Sequence, residues 1–446
     1  MLLGCHRAIS QQYVCLPCKQ PCDLAVLSRG GPCPTCRMAL VEKGTYNKTL
    51  TKKQLTEDFT ILVNTLQNNH PGIYDYQSKS DFEQTIQSLE KELSSAQYVL
   101  DEYKIVSKLI AAVGDAHTYV MNPYYQNILQ EELLFPVIPK IDQNQITMQG
   151  ERLKSINGYT EEEILERLQR FASSDGHTVP YKNTFIEMEF PLKYFTFLDD
   201  SSTFEVVFKN GTKKTWEGKS YFQSGLRSTA SKPSFRIEGK TAILKIPSWE
   251  DKTASSFNND LAAMAQQATL GKFIKASLEK AIKAQTSHLI IDLTGNKGGK
   301  SGPAALLLSY LIDEPFKYYS EISIASDSFP TKQYITNKAL VDFYESKDAK
   351  NLINEVDGRF FFKKDLLPTI TPNPNPFNGT VEVRVDKYSL SVSTDVVATL
   401  KKNREVKITG DEIGGSLAHY CAGNYLNLQL PNSGIEVNIP LQRLKY

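Results

Sequence analysis

The sequence predicts an α/β protein of several domains, and three observations carry that reading. From Phe235 onward, apolar strand-like runs alternate with helical stretches: "TAILKIPSW", a long stretch ending at Lys283, "SHLIIDL", "GPAALLLSYLI", "DVVATLKKN", "EVKITG" and "IEVNIPL". Alternation on that scale predicts a mainly parallel sheet with crossover helices. Ahead of it lie a helical stretch, from Thr51 to about Ala112, and a strand-rich one, residues 131–235. Cys5, Cys15, Cys18, Cys22, Cys33 and Cys36 all fall in the first 36 residues, leaving only Cys421 beyond them. A chain of 446 residues with 41% hydrophobic content can bury a large core and divides into about two to four domains. The boundaries drawn are 1–45, a cysteine-rich module; 51–130, a helical bundle; 131–235, a strand-rich domain; and 236–446, the α/β core.

In "YVCLPCKQPCDLAVLSRGGPCPTCRMAL", Cys15/Cys18 and Cys33/Cys36 form two C-x2-C pairs fourteen residues apart, the spacing of a zinc ribbon. Four thiolates on two tight knuckles complete a tetrahedral shell, so a closed structural zinc site is expected through Cys15, Cys18, Cys33 and Cys36. The bland alternatives are a pair of disulfides or unpaired thiols. The ending "CPTCRMAL" is similar to that of small heavy-metal-binding modules, which keeps metal sensing or delivery open.

Residues 41–50, "VEKGTYNKTL", read as a linker. In the helical stretch Phe59, Leu62, Val63 and Leu66 stand at i, i+3, i+4 and i+7. The period breaks at "NNHPGIYDYQSKSD", where His-Pro-Gly marks a turn, and resumes in "FEQTIQSLEKEL" and "DEYKIVSKLIAAV". Within 131–235, "STFEVVFKNGTKKTWEG" carries the hairpin signal Asn210-Gly211, and "GERLKSINGYTEEEILERL" reads as strand, Asn-Gly turn and helix. "LPTITPNPNPFNG" reads as a surface loop.

Composition excludes some partners. Fifty-one Lys and Arg against 50 Asp and Glu give a net charge of +1, so nothing electrostatic points to nucleic acid or an acidic membrane surface. No run approaches the ~20 apolar residues that span a bilayer. The start, "MLLGCHR", resembles the end of a bacterial lipoprotein signal without the regions that should precede it. A lipid anchor at Cys5 and chance are both open.

The chemistry concentrates in three places. In "LIIDLTGNKGGKSGPAALLLSYLI", a buried strand runs into a turn containing Gly295, Gly298 and Gly299, then into an apolar helix. Glycine backbones can aim N–H groups at an anion, and a helix amino terminus adds its dipole. The spacing fits neither a P-loop nor G-x-G-x-x-G, so an oxyanion cradle or a plain tight connection remains. In "YSLSVSTDVVATL", Ser389, Ser391 and Ser393 lie between a strand and a helix, placed either for nucleophilic attack or as ordinary N-caps. Of six histidines, His6 is within reach of the metal module, His70 precedes Pro71 in a turn, His177 and His419 sit in polar loops, and His288 opens a buried strand. His117, in "AAVGDAHTYV", stands at a helix-to-strand junction where a side chain can be aimed into a cleft.

"LIIDLTGNKGG", "GDAHT", the Ser-x-Ser stretch, "ITGDEIGGS" and the closing "LQLPNSGIEVNIPL" occur in the order, and at roughly the distances, of the tail-specific or C-terminal-processing serine peptidases, which the chain resembles over about residues 51–446. The resemblance implies a ClpP/crotonase-like core after a helical bundle and a PDZ-like domain, acting on a peptide or protein substrate with no cofactor for the chemistry. Carried over by position, it implies Ser391 as nucleophile, Gly298, Gly299 and Val392 as oxyanion donors, and His117 as base, as in the Ser/His, tricorn-like branch. It implies Glu436 as the orienting acid, with Glu412 and Asp115 in competition. The lysine that Ser/Lys members place twenty-five residues after the nucleophile is Ser416 here, and Thr294 replaces the arginine of the usual Asp-Leu-Arg. "RLKSINGYTEEEIL" fits only the latter half of a PDZ domain, without a carboxylate-binding loop. A catalytically inactive peptide- or metal-binding protein on the same fold is the alternative, and a crotonase-like acyl-CoA enzyme leaves "GDAHT" and the bundle unexplained. The family implies the cell envelope, whereas reduced C-x2-C pairs suit the cytoplasm.

Overall fold

The computed structural model describes residues 13–15, 21–38, 40–42, 47–220, 231–251, 262 and 265–446. Cys5, His6, Cys18 and the side chain of Cys15 lie outside them, so those parts of the anchor and metal readings do too. At the amino end, β1 (Tyr13–Cys15) pairs antiparallel with β2 (Val26–Leu27) and β3 (Leu40–Glu42) around the buried Cys22 and Cys33.

Three amphipathic helices follow: α1 (Lys52–Asn69), α2 (Lys79–Leu93) and α3 (Val99–Val113). Thr51 and Gln54 close a capping box on α1, and Gly114, at φ 73°, ends α3 in the left-handed conformation that favours glycine. The apolar stripe Leu55, Phe59, Leu62 and Leu66 is almost wholly buried, but not within a separate bundle. It shares one core with Leu426, Leu428, Val437, Ile439 and Leu441 of the C-terminal hairpin, β21 (His419–Gln429) and β22 (Glu436–Lys445). Asp58 fixes that contact, its buried carboxylate accepting from the amides of Asn432 and Ser433 and from the Ser433 hydroxyl, at 2.7–3.1 Å. The helical segment and the far end of the chain therefore fold together, across the boundary the sequence suggests.

After β4 (Tyr119–Met121) and α4 (Tyr125–Glu131) comes an antiparallel sheet. It comprises β5 (Lys140–Asp142), β6 (Gln145–Met148), β7 (Glu151–Ile156), β8 (Tyr159–Thr160), β9 (Thr203–Phe208) and β10 (Lys213–Glu217). Helices α5 (Glu161–Gln169), α6 (Val179–Met188) and α7 (Phe190–Phe197) lie between β8 and β9 in sequence, and α5 buries Ile164 and Leu168 against Leu153 and Ile156. The Asn210-Gly211 turn does join β9 to β10, with Gly211 at φ 89°.

The central sheet runs β11-β12-β13-β19-β20. Its strands β12 (Thr241–Lys245), β13 (His288–Asp292), β19 (Thr380–Val385) and β20 (Lys407–Gly410) are parallel, and β11 (Ser234–Glu238) pairs antiparallel at one edge. Leu289 and Ile291 are fully buried, as a strand covered by helices requires. The helices are α8 (Thr269–Lys283) and α9 (Ser301–Ser309), whose nine residues are all buried. A last sheet, on the path β16-β17-β15-β22-β21, is built from β15 (Glu321–Ile324), β16 (Ile353–Val356), β17 (Arg359–Phe362) and the C-terminal hairpin, with α10 (Lys338–Glu345) and α11 (Lys347–Leu352) between β15 and β16 in sequence. β4 joins it on β22, so the segment carrying His117 is stitched to the end of the chain.

The proline-rich stretch differs from its expectation as a surface loop. Leu367, Ile370 and Phe377 are buried in the central core, β18 (Thr369–Ile370) pairs with β14 (Phe316–Lys317), and Arg404 donates to the carbonyls of Leu311 and Gly379. Apolar residues between the prolines supply the anchor, and Arg404 satisfies carbonyls that no regular strand would reach.

Candidate active site

Two loops meet beyond the carboxyl ends of neighbouring parallel strands, where ligands bind in open α/β sheets. The turn after β13 carries the glycines, and the turn after β19 carries the serines. Asn296 clasps them together from a fully buried position: its side-chain amide donates to the Ile246 carbonyl at 2.8 Å, and its own carbonyl accepts the Leu390 amide at 3.0 Å. Asp386 adds a second tie, accepting the Gly295 amide at 3.0 Å.

This framework separates the serines. Ser389 is buried and donates to the Leu293 carbonyl at 2.9 Å. Ser393 is buried too, accepting from the Trp249 indole at 3.0 Å and donating to the Asn296 carbonyl at 3.1 Å. Ser391 is half-buried, and its hydroxyl has no hydrogen-bond partner among the described residues. It stands at φ 53°, ψ −118°, immediately before α12 (Val392–Asn403). Such a backbone in a non-glycine residue costs on the order of 1–3 kcal/mol and persists only where surroundings impose it. A Cβ on Gly298 would lie 2.7 Å from that of Ser391, and one on Gly299 would lie 2.5 Å from the Trp249 backbone, so both positions require glycine.

The oxyanion assignments divide. The Gly298 amide already donates to the Asn296 side chain at 2.9 Å, because Asn296 folds back over its own turn, which takes that N–H away from any ligand. The amides of Gly299 and Val392 have no acceptor among the described residues. Val392 opens α12, so its N–H is one of the orphan donors at a helix start.

His117 reaches this end of the molecule on the loop between α3 and β4. Its ring packs against that of Tyr420, centroids 5.0 Å apart. The Tyr420 hydroxyl donates at 2.8 Å to Asp395, one turn beyond Ser391 on α12. Asp395 also accepts from Tyr318, Tyr319 and Tyr446. Burial pushes its carboxyl above the usual carboxylate range, with the tyrosine hydroxyls opposing.

Two carboxylates face His117. Asp115 Oδ1 lies 4.0 Å from His117 Nδ1, and the oxygens of Asp115 and Asp175 and a His117 nitrogen all fall within 4.8 Å of one another. Burial works against the Asp115 charge, but His70 and His117 outweigh it and hold the carboxyl below its ordinary range. Asp175 goes the other way, pushed up by burial and only partly relieved by His117, with the Asp115 charge adding to the rise. Asp115 thus stays the anion of the pair. Asp175 serves the backbone, accepting the amides of Ala116 at 2.9 Å and Ser416 at 3.4 Å.

Glu436 is not brought to this cluster. It is exposed at the start of β22, opposite Met121 and Gln429, while His117 lies before β4, beyond the other end of that pairing. Glu412 is also exposed, on a cleft shared with Asp142 and Lys387. Lys297 has its ammonium pushed down by burial, with Glu189 and Glu187 opposing. His419 differs from its loop reading: it opens β21 and pairs with Asp75 at 3.1 Å. A cavity of about 590 Å³ lies away from this cluster, bordering His288 and Thr380 at the amino ends of the strands.

In the cysteine module, the sulfurs of Cys22, Cys33 and Cys36 lie within 4.8 Å of one another. Thiolates so gathered match the donor set of zinc. Cys22 belongs to neither C-x2-C pair, so the spacing alone does not single it out.

Residues 240–420 match peptidase family S41. No curated protein matches. Among solved structures, mature CPAF complexed with lactacystin superposes with TM-score 0.58 at 14% identity, covering 88% of this chain and 90% of that one. Mature CPAF alone gives TM-score 0.58 at 15% identity, covering 88% and 89%. The photosystem II D1 C-terminal processing protease gives TM-score 0.40 at 11% identity, covering 89% of each chain. The residues that match this family span both the glycine turn and the serine loop, and the chain is a serine-type peptidase, a hydrolase.

Proposed function

We propose that the chain is an endopeptidase in which Ser391 is the nucleophile, His117 the general base, Asp115 the acid that holds His117, and the amides of Gly299 and Val392 the oxyanion hole. The observation that carries this reading is the state of Ser391: of the serines in its loop it alone has an uncommitted hydroxyl, on a strained backbone at a helix amino terminus. His117 takes the Ser391 proton as Oγ attacks the scissile carbonyl, and the two amides receive the oxyanion, aided by the positive end of α12. His117 then returns the proton to the leaving amine, and water attacks the acyl-enzyme by the same route. The 4.0 Å between Asp115 and His117 is longer than a hydrogen bond, as is common before substrate closes a site.

A fluorophosphonate probe tests the assignment. Labelling of the wild type that is lost in Ser391→Ala supports it, and an unlabelled, folded wild type supports the non-catalytic binder instead. Ser391→Ala and His117→Ala should each reduce kcat by roughly 10³-fold or more, and the double variant little further, because the residues act as one unit. Near-wild-type turnover in His117→Ala would transfer the base to Lys297 or Lys300.

The PDZ-like identity of the antiparallel sheet and a ClpP/crotonase-like core belong to this same reading. For the amino-terminal module the reading is a structural zinc held by Cys22, Cys33 and Cys36, with Cys15 or Cys18 as the fourth ligand. Among the described residues no helix is long and apolar enough to cross a membrane. A cell-envelope location with lipid on Cys5 rests on the Leu-Leu-Gly-Cys run, and palmitate labelling of the full native gene product tests it.

A further inference from the structure

The serine-histidine reading leaves a buried histidine unused. His70 is 2% exposed, at the end of α1 in the turn His70-Pro71-Gly72. Pro71 disfavours helix at the residue before it, and His70 is extended, at φ −79°, ψ 117°. Gly72 fits where a Cβ would lie 2.6 Å from Asp75 Oδ2 and 2.6 Å from Cys421 Sγ. The turn is thus closely packed against Asp75 and Cys421, and its hydrogen bonds fix where the ring proton sits. The Gly72 amide donates to Nδ1 at 3.2 Å, so the N–H of the neutral ring is on Nε2. Nε2 faces Thr118 Oγ1 at 2.8 Å and Asp115 Oδ2 at 3.2 Å. The Thr118 hydroxyl has one proton and gives it to Asp115 Oδ2, so Oγ1 can accept from Nε2. Both donors hold Oδ2. Oδ1 is left facing His117, whose backbone amide reaches it at 3.3 Å and whose Nδ1 lies 4.0 Å away.

We propose that His70 is a positioning residue for the peptidase reaction: it fixes the Asp115 carboxylate, through Oδ2 and Thr118, so that Oδ1 orients the ring of His117. A general base gains from a partner that sets its tautomer and rotation, and that partner needs fixing in turn. A carboxylate sealed from water at this depth has only protein donors to do it. The inference rests on the assignment of His117 and Ser391, and its test distinguishes the two.

The test uses the full chain, with the rate of fluorophosphonate labelling and kcat and KM on a peptide substrate as readouts. His70→Phe keeps the ring volume and removes the hydrogen bonds of both ring nitrogens, whereas His70→Gln can carry an N–H to the place of Nε2. Phe should lower kcat and the labelling rate by about 10- to 100-fold with KM within about twofold, and Gln should restore most of the loss. In an Asp115→Asn background, His70→Phe should cost less than about twofold more, since the histidine acts only through the carboxylate. Should Phe fail to fold, His70→Asn replaces it: its amide can satisfy Gly72 but is too short to reach Thr118, and it should label more slowly than Gln. Equal rates for wild type, Gln and Phe or Asn, or a full further loss on Asp115→Asn, would overturn the inference while leaving Ser391 and His117 in place. An unlabelled wild type, or labelling that survives Ser391→Ala, would remove the assignment and the inference together.

Discussion

At the scale of single residues, the candidate site is held by contacts that tolerate little change. Gly298 is pressed against Ser391, and Gly298→Ala would place a Cβ 2.7 Å from the serine Cβ while also forcing φ 102° on a side-chain-bearing residue. Activity should fall by at least about 10²-fold, with stability lowered by roughly 1–3 kcal/mol in urea melts. Wild-type turnover in that variant would show that the turn does not frame the serine. The acids make a sharper comparison. Asp115→Asn keeps the shape and removes the charge beside His117, and should reduce kcat by roughly 10²-fold or more, whereas Glu436→Gln and Glu412→Gln, both exposed, should change it less than about twofold. Steady-state kinetics on all three settles which acid orients the base.

Among elements, the decisive contact is α1 and α3 against the C-terminal hairpin. Glu102 of α3 is fully buried there, with neither carboxylate oxygen in a well-formed hydrogen bond. Burial first, then the charge of Asp58 on α1, push it up to about 8, with Ser433 opposing. In the unfolded chain the same carboxyl titrates near ~4.3. The folded state therefore holds the extra proton across that window, so stability is greatest below ~4.3, declines as pH rises through about 8, and levels off above. Glu102→Gln removes the titration. Its unfolding free energy should exceed that of the wild type at pH 8.5, by on the order of 1 kcal/mol or more, and match it near pH 4. Parallel curves for the two proteins across that range would show that Glu102 does not carry this pH dependence.

Taken whole, the chain is tied end to end, because β4 and β22 pair across more than three hundred residues and carry the histidine loop to the C-terminal sheet. The amino-terminal module stands apart in chemistry: among the described residues its core is Cys22 and Cys33, with Cys36, Met38 and Leu40 packed against them. One zinc per chain is expected by elemental analysis, lowered in Cys22→Ser as much as in Cys33→Ser, because three gathered thiolates bind as a unit. Removing residues 1–45 should leave fluorophosphonate labelling largely intact. Loss of labelling in that deletion would make the metal module part of the catalytic unit.

What is local could be read along the chain. The parallel core was legible because apolar runs such as "HLIID" alternate with helices, and the Asn210-Gly211 hairpin because the turn chemistry lies in two adjacent residues. The glycine turn, the serine loop and His117 stood out as candidates at junctions of local elements, and the family resemblance gave each its expected role. Folding in three dimensions settled which serine keeps an uncommitted hydroxyl, that Asn296 occupies the Gly298 amide, and that Asp115 rather than Glu436 faces His117. It alone brought Cys22 to Cys33 and Cys36, and joined the helical segment to the last hairpin. Those outcomes depend on hydrogen bonds and burial between segments far apart in the chain. Spacing along the sequence carries no information about which of several chemically equivalent carboxylates, thiols or amides will be neighbours once strands pair and the core closes.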